Sequence, residues 1–305
     1  MTTFADENTP EAAADLLARL KQELPSLGHR EARAARHLLA NFPLAGLTTV
    51  AEFAEQSGVS TATVLRLVKR LGFPVYAQFQ GALKDHLETR LQSPLKRIET
   101  RRAAGGDYID RYFGQLADHM AGMRETLDRG AFDAVAALLA DGRRDIHVIG
   151  GRYSGHIASY FADLLVTVRP KVHPVAGQTQ RWTQQLLDIN RNSVLVVFDV
   201  RRYQPDVVEF ARLAALQGAT VVVFTDPWLS PATRVARHVI TFPVTSVSAF
   251  DMVSVGSAVA EALLGLIVQK SGTSGKERMV TLEALREGRT HKTRRHKKGT
   301  ITNDT

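Results

Sequence analysis

Eight side chains in one short stretch have the chemistry of a DNA contact. Ser60, Thr61, Ala62, Thr63, Leu65, Arg66, Lys69 and Arg70 lie between Gly58 and Gly72. Small polar groups followed by guanidinium and ammonium groups suit base edges and phosphates in a major groove. No Asp or Glu occurs between Glu55 and Asp85, whereas Arg66, Lys69, Arg70 and Lys84 fall inside that window. A second group has the chemistry of an anion site. Gly150, Gly151, Arg152 and Ser154 combine close backbone approach with a cation and a hydroxyl. A third is Asp199, Arg201, Arg202 and Tyr203. Two adjacent arginines can hold a carboxylate or phosphate bidentately, and Tyr203 can cover it. Each group has a plainer reading: an ordinary helical hairpin, a tight turn, and a salt bridge from Arg201 or Arg202 to Asp199 or to a dimer partner.

The first group needs a helix-turn-helix to present it, and residues 48–71 read as one. Thr48 is expected to cap the first helix, on which Val50, Phe53 and Ala54 recur at i, i+3 and i+4. Gly58 permits the left-handed backbone of a sharp turn, and Val59 can plug the corner. Ser60 can cap the second helix. Val64, Leu67, Val68 and Leu71 pack that helix inward, leaving Thr61, Ala62, Leu65, Arg66, Lys69 and Arg70 outside.

Around the motif, Thr9-Pro10 starts a helix to about Leu24, Pro25-Ser26 breaks it, and a second helix runs to about Asn41. Gly72-Phe73-Pro74 closes the motif, and Tyr76 begins another helix to about Arg90. This outlines a helical domain over residues 1–90 and a linker over 91–106. From Asp107 a helix leads into short apolar runs alternating with helical segments. The runs are 146–149, 171–175, 193–198, 220–224 and 238–242; the helical segments include 154–166, 204–217 and 250–270. That texture predicts an α/β domain over 107–272, a five-stranded parallel doubly wound sheet covered on both faces. Ligands of such sheets bind at the C-terminal strand ends, where the second and third groups fall. The glycine spacing after the first strand is not G-x-G-x-x-G, and no acid follows at the ribose distance, so no dinucleotide is expected.

Composition limits the alternatives. The chain has 305 residues, 39 Lys and Arg against 31 Asp and Glu, and no cysteine. Disulfides, thiolate metal sites and cysteine nucleophiles are excluded. Residues 1–90 carry no net charge, 91–275 carry +3 and 276–305 carry +5. The basic balance therefore lies mostly in the polar tail, 273–305, where Arg289, Lys292, Arg294, Arg295, Lys297 and Lys298 occur without an acid. A frayed helix near 276–287 followed by disorder is expected there. No apolar run is long enough for a membrane span, and the N-terminus lacks a secretory pattern, so a cytoplasmic location is expected.

Taken together, these segments resemble the RpiR/MurR family of bacterial transcriptional regulators. The sharpest likeness is SGVSTATVLRLVKRLGFPVYAQFQGALK, Ser57 to Lys84. GGRYSGHIASYFADLL, Gly150 to Leu165, resembles the first loop and helix of a sugar isomerase (SIS) domain, and GATVVVFTD, Gly218 to Asp226, its fourth strand. The resemblance implies an N-terminal DNA-binding domain, a SIS domain sensing a phosphosugar, and a homodimer or homotetramer. One segment departs. The family's second loop usually reads Ser-x-Ser-Gly-x-Thr, and here Asp199 to Gln204 read DVRRYQ. Of the family's ligand positions only Ser154 keeps a hydroxyl.

The leading expectation is a regulator that binds a double-stranded DNA operator and responds to a small anionic effector, with no cofactor, no metal and no catalytic residue. The alternative is a sugar-phosphate isomerase-type enzyme with a helical appendage. Isomerisation needs a placed general base. His147, His156 and His173 qualify by location only. A third reading is an architectural DNA-binding protein whose SIS-like domain only dimerises.

Overall fold

The computed structural model describes residues 16, 19–20, 22–91 and 106–288. The expected helix start at Thr9-Pro10, nearly all of the linker and the basic run 289–298 lie outside the described residues.

The N-terminal half is helical: α1 (His29–Ala40), α2 (Leu44–Leu47), α3 (Val50–Ser57), α4 (Thr61–Arg70) and α5 (Tyr76–Leu91). Apolar residues at helical spacing close a single core. Leu38, Phe53, Val64, Leu67, Phe79 and Leu83 are completely buried there, with Leu16 and Leu20 from the segment before α1. The short α2 was not expected from the sequence. Gly46 lets it approach α5; a Cβ there would lie 2.4 Å from Leu83 and 2.8 Å from Phe79.

The second half alternates helix and strand after α6 (Tyr108–Thr126) and α7 (Arg129–Ala140). These are followed by β1 (Asp145–Gly150), α8 (Gly155–Val168), β2 (Val172–Pro174), α9 (Thr179–Gln185), β3 (Ser193–Phe198), α10 (Pro205–Leu216), β4 (Thr220–Thr225), β5 (His238–Thr241) and α11 (Ser254–Arg286). The strands form one parallel sheet in the order β2-β1-β3-β4-β5. This is the five-stranded doubly wound sheet expected from the alternation. β3 is central and buried along its whole length, as its unbroken apolar run requires. Strand alternation splits the core. Val148, Val196, Phe198 and Phe224 pack with α7, α8 and α11, while Leu195, Val197, Val221 and Val223 pack with α10.

The helix α7 and the short α9 were not anticipated. The last helix is interrupted at Gly272 (φ 56°, ψ −137°), between the segments expected to be helical over 250–270 and near 276–287, and ends at Arg286. Among the described residues no helix is long and apolar enough to cross a membrane.

Candidate functional site

Helix α4 has the capped, amphipathic form that its sequence demands. The Ser60 hydroxyl accepts the Thr63 N–H at 3.3 Å, and Gly58 turns the chain in left-handed geometry (φ 62°, ψ 40°). Val64, Leu67, Val68 and Leu71 are buried, holding the helix on the core. Thr61, Ala62, Leu65, Arg66, Lys69 and Arg70 all face solvent, and Ser60 is exposed at the helix start. Thr63 is the exception among the expected contact residues, being wholly buried. Its hydroxyl lies 2.9 Å from that of Ser60 and accepts from Arg66 Nη2 at 3.2 Å.

The cap of α3 is Thr49, not Thr48. Thr49 Oγ1 accepts the Glu52 N–H at 3.2 Å, and the Glu52 carboxylate accepts the Thr49 N–H at 2.9 Å. This reciprocal box needs a Glu three residues on, which Thr49 has and Thr48 lacks. Thr48 instead donates to Ala45 O, and its own carbonyl accepts from Tyr76 and Gln80 of α5. Burial pushes the Tyr76 phenol up to about 12, so it remains a donor there.

Two acidic residues that the sequence reading overlooked also touch α4. Glu31 Oε1 lies 3.3 Å from Arg66 Nε, and Glu23 Oε2 lies 2.8 Å from Arg70 Nε. Arg70 Nη2 also donates to Ser26 Oγ at 2.9 Å. The bond from Arg70 holds the Glu23 carboxyl below its usual range.

In the α/β domain the strand order reverses between β1 and β3, so their C-terminal ends flank the switch point. The β1 loop is drawn tight by two glycines: a Cβ on Gly150 would lie 2.7 Å from Gly155 Cα. Ser154 is buried and bridges the two strands. Its hydroxyl donates to Phe198 O at 2.7 Å and accepts the Gly151 N–H at 3.1 Å. Asp199, also buried, follows β3. Its Oδ2 accepts the Ser230 hydroxyl, while Oδ1 meets no donor at hydrogen-bond geometry. Oδ1 lies over Gly151, with Ser154 Oγ and Gln204 Oε1 beside it. Burial pushes the Asp199 carboxyl up to about 6. The Ser230 hydroxyl and the nearby Gln204 backbone N–H act against that, and the charges of Asp226 and Asp206 add to it.

The remaining residues of this group divide. Arg201 lies inside: its side chain is 4% exposed, and its guanidinium donates to Asp251 at 2.6 Å and stands 4.6 Å over the Trp228 ring. Asp226 organises the loop, accepting from the Arg201 N–H, the Tyr203 hydroxyl and the Trp228 N–H. Arg201 and Arg202 both have positive φ, 23° and 53°. Arg202 and Arg152 are exposed, the latter 5.5 Å from the Tyr153 ring. The structure thus brings Gly151, Ser154 and Asp199 together, gathers Arg201 and Tyr203 around Asp226 and Asp251, and leaves Arg152 and Arg202 as surface cations.

His147 is buried, stacks on His173 at 4.9 Å and has neither ring nitrogen hydrogen-bonded. Burial depresses it to about 4, which suits a neutral packing residue of the sheet. Among the described residues no cluster of three or more His, Cys, Asp or Glu could hold a metal ion.

A family model described as a helix-turn-helix domain of the rpiR family matches residues 14–90, and one described as a SIS domain matches residues 138–266. The chain carries a helix-turn-helix domain of the rpiR family followed by a SIS domain. An uncharacterized helix-turn-helix-type transcriptional regulator of Haemophilus influenzae is 22% identical over 231 residues, which is 75% of this chain and 80% of its own. The NanR protein of Vibrio vulnificus, solved in complex with ManNAc-6P, has a TM-score of 0.51 and 19% identity, and covers 90% of this chain and 98% of its own. The sugar isomerase domain of an RpiR transcription factor from Sphaerobacter thermophilus also gives 0.51, at 22% identity over 58% of this chain and 95% of its own. The likeness to these two structures is one of fold.

Proposed function

We propose that this chain is a cytoplasmic transcriptional regulator that reads operator DNA with α4 and senses a small anionic metabolite, a phosphosugar or a carboxylate, at its SIS domain. The observation that carries the reading is α4 itself: a capped helix whose exposed side is Thr61, Ala62, Leu65, Arg66, Lys69 and Arg70. The partly basic surface supplies phosphate contacts, and Arg66 supplies base contact. One such helix reads few base pairs, so the chain acts as a homodimer or homotetramer on paired half-sites, joined through the SIS domain.

Support for the effector comes from the switch point and from the ManNAc-6P held by the NanR protein. In this chain the anion is taken by the exposed Arg152 and Arg202, beside Gly150 and Gly151, with Tyr203 covering. Ser154, Asp199 and Arg201 shape the cleft from within. The non-enzymatic reading is favoured by the state of His147, which is buried and neutral where a general base would need access to substrate.

The test is selection of duplex DNA from a randomised pool by the full-length chain, followed by titration of the selected complex with ManNAc-6P, other sugar phosphates and small carboxylates. A recurring half-site, released or tightened by one anion class, is expected. No enriched sequence would overturn the DNA reading. Enrichment with no response to any anion would overturn the effector reading alone.

A further inference from the structure

Arg66 is not a loose surface side chain. Its Nε faces Glu31 Oε1 at 3.3 Å, and its Nη2 donates to Thr63 Oγ1 at 3.2 Å. Thr63 is wholly buried and is itself fixed by the capping Ser60. Glu31 stands in the first turn of α1, and its side chain is only 18% exposed, so it is packed between helices. The guanidinium is therefore gripped from two directions, by a carboxylate and by a hydroxyl that its own helix holds in place. Nη1 and the second Nη2 hydrogen make up the edge that neither grip uses. The side chain is nevertheless 61% exposed.

Arg70, one turn on, is held differently. Nε and Nη2 are engaged by Glu23 and Ser26, and Nη1 lies 4.0 Å from Glu31. Arg70 thus ties α4 to the turn before α1. Glu31 sits between both guanidinium groups and offsets their mutual repulsion. No carboxylate among the described residues pairs with Lys69, which is exposed.

We propose that Glu31 is a positioning residue for sequence recognition: by gripping Arg66 from Nε, it presents the opposite guanidinium edge in one orientation to a guanine. A guanine offers O6 and N7 as paired acceptors, and a fixed fork matches them without ordering a long side chain on binding. The carboxylate also lowers the attraction of α4 for phosphate in general, which widens the gap between specific and non-specific DNA. This inference rests on the DNA-binding reading above.

The experiment uses full-length protein and the duplex that the wild-type chain selects from a randomised pool. Affinities for that duplex, for versions with each guanine replaced, and for an unrelated duplex are measured by fluorescence anisotropy at one salt concentration. Glu31→Ala is expected to shrink the ratio of selected to unrelated affinity by about ten-fold, and to bind unrelated DNA as tightly as wild type or more so. Glu31→Gln, which can still accept from Nε, is expected to keep most of the ratio. The loss from Glu31→Ala should fall at the same guanine as that from Arg66→Ala, and the double variant should lose little more than Arg66→Ala alone. A merely structural role would lower the melting temperature and weaken both duplexes in proportion; an unchanged ratio in both folded Glu31 variants overturns the assignment. A wild-type chain that selects no sequence overturns the DNA-binding reading itself.

Discussion

Asp199→Asn isolates the effect of burying a carboxyl group at the end of β3. The substituted amide keeps the shape of the side chain, and its oxygen can still accept from Ser230. In the folded chain burial raises the Asp199 carboxyl from 3.8 to about 6. The unfolded chain gives up the proton near 3.8. Between those values the folded state holds a proton that the unfolded state has lost, so stability falls as pH rises. Above about pH 6 both states are ionised and the loss is complete. At about 1.4 kcal/mol per pH unit, the full displacement is worth about 3 kcal/mol, an upper value because polar neighbours reorganise around the charge. The amide carries no charge at any of these pH values. Its advantage over wild type is therefore expected to grow by about 1–2 kcal/mol between pH 4.5 and pH 7.5, since part of the loss is already complete at pH 4.5. Both tryptophans of the chain, Trp182 and Trp228, belong to this domain, so urea unfolding followed by tryptophan fluorescence reports its stability directly. Comparing the change with pH, rather than one stability, removes any constant cost of the altered hydrogen bond. A difference that stays level, or that moves against the variant as pH rises, would refute the reasoning.

The other predictions concern the two sites and the turns that hold them. Arg66→Ala should weaken operator binding by about 1–3 kcal/mol and relax specificity at one position, whereas Lys69→Ala should weaken all DNA and reduce the salt dependence; Arg70→Ala should combine a smaller such loss with destabilisation of the helical domain. Unchanged affinity in all three folded variants would remove α4 from the DNA contact. Gly58→Ala forces a Cβ into the left-handed turn and toward the Arg33 guanidinium, and should cost the helical domain about 1–2 kcal/mol by thermal denaturation. Gly150→Ala sets a Cβ against the backbone of Gly155 and should cost the α/β domain about 2 kcal/mol or more, with loss of any effector response. Arg201→Ala removes the partner of Asp251 and the cation over Trp228, and is expected to destabilise the domain by about 2–3 kcal/mol in urea; operator affinity that falls as much as stability would show the loop to be coupled to the DNA domain.

The helix-turn-helix was legible in the sequence because its determinants are local. Apolar spacing, a capping serine and a glycine at the turn act within a few residues, and each performs its expected part. The strands were legible for a similar reason: β-branched apolar runs such as 193–198, alternating with helical segments, fit a covered parallel sheet. The Thr49–Glu52 box was also in the sequence, three residues apart, and was missed in favour of Thr48. The short helices α2 and α9 carry too few turns to show a period.

The side chains that condition the two sites were not legible, because their partners are distant in the chain. Arg66 meets Glu31 across 35 residues, Arg70 meets Glu23 across 47, and Arg201 meets Asp251 across 50. Residue type announces that an arginine can bind an anion. Whether it meets solvent or a carboxylate of its own chain depends on which helix or loop packs beside it. Thr63 and Asp199 make the same point: each is a polar residue buried by tertiary contacts that set its hydrogen bonds and, for Asp199, its charge. Secondary structure follows from interactions a few residues apart, so sequence alone outlined the helix-turn-helix and the sheet. The exposure and pairing of charged groups follow from contacts between elements tens of residues apart, and only the packed chain decides them.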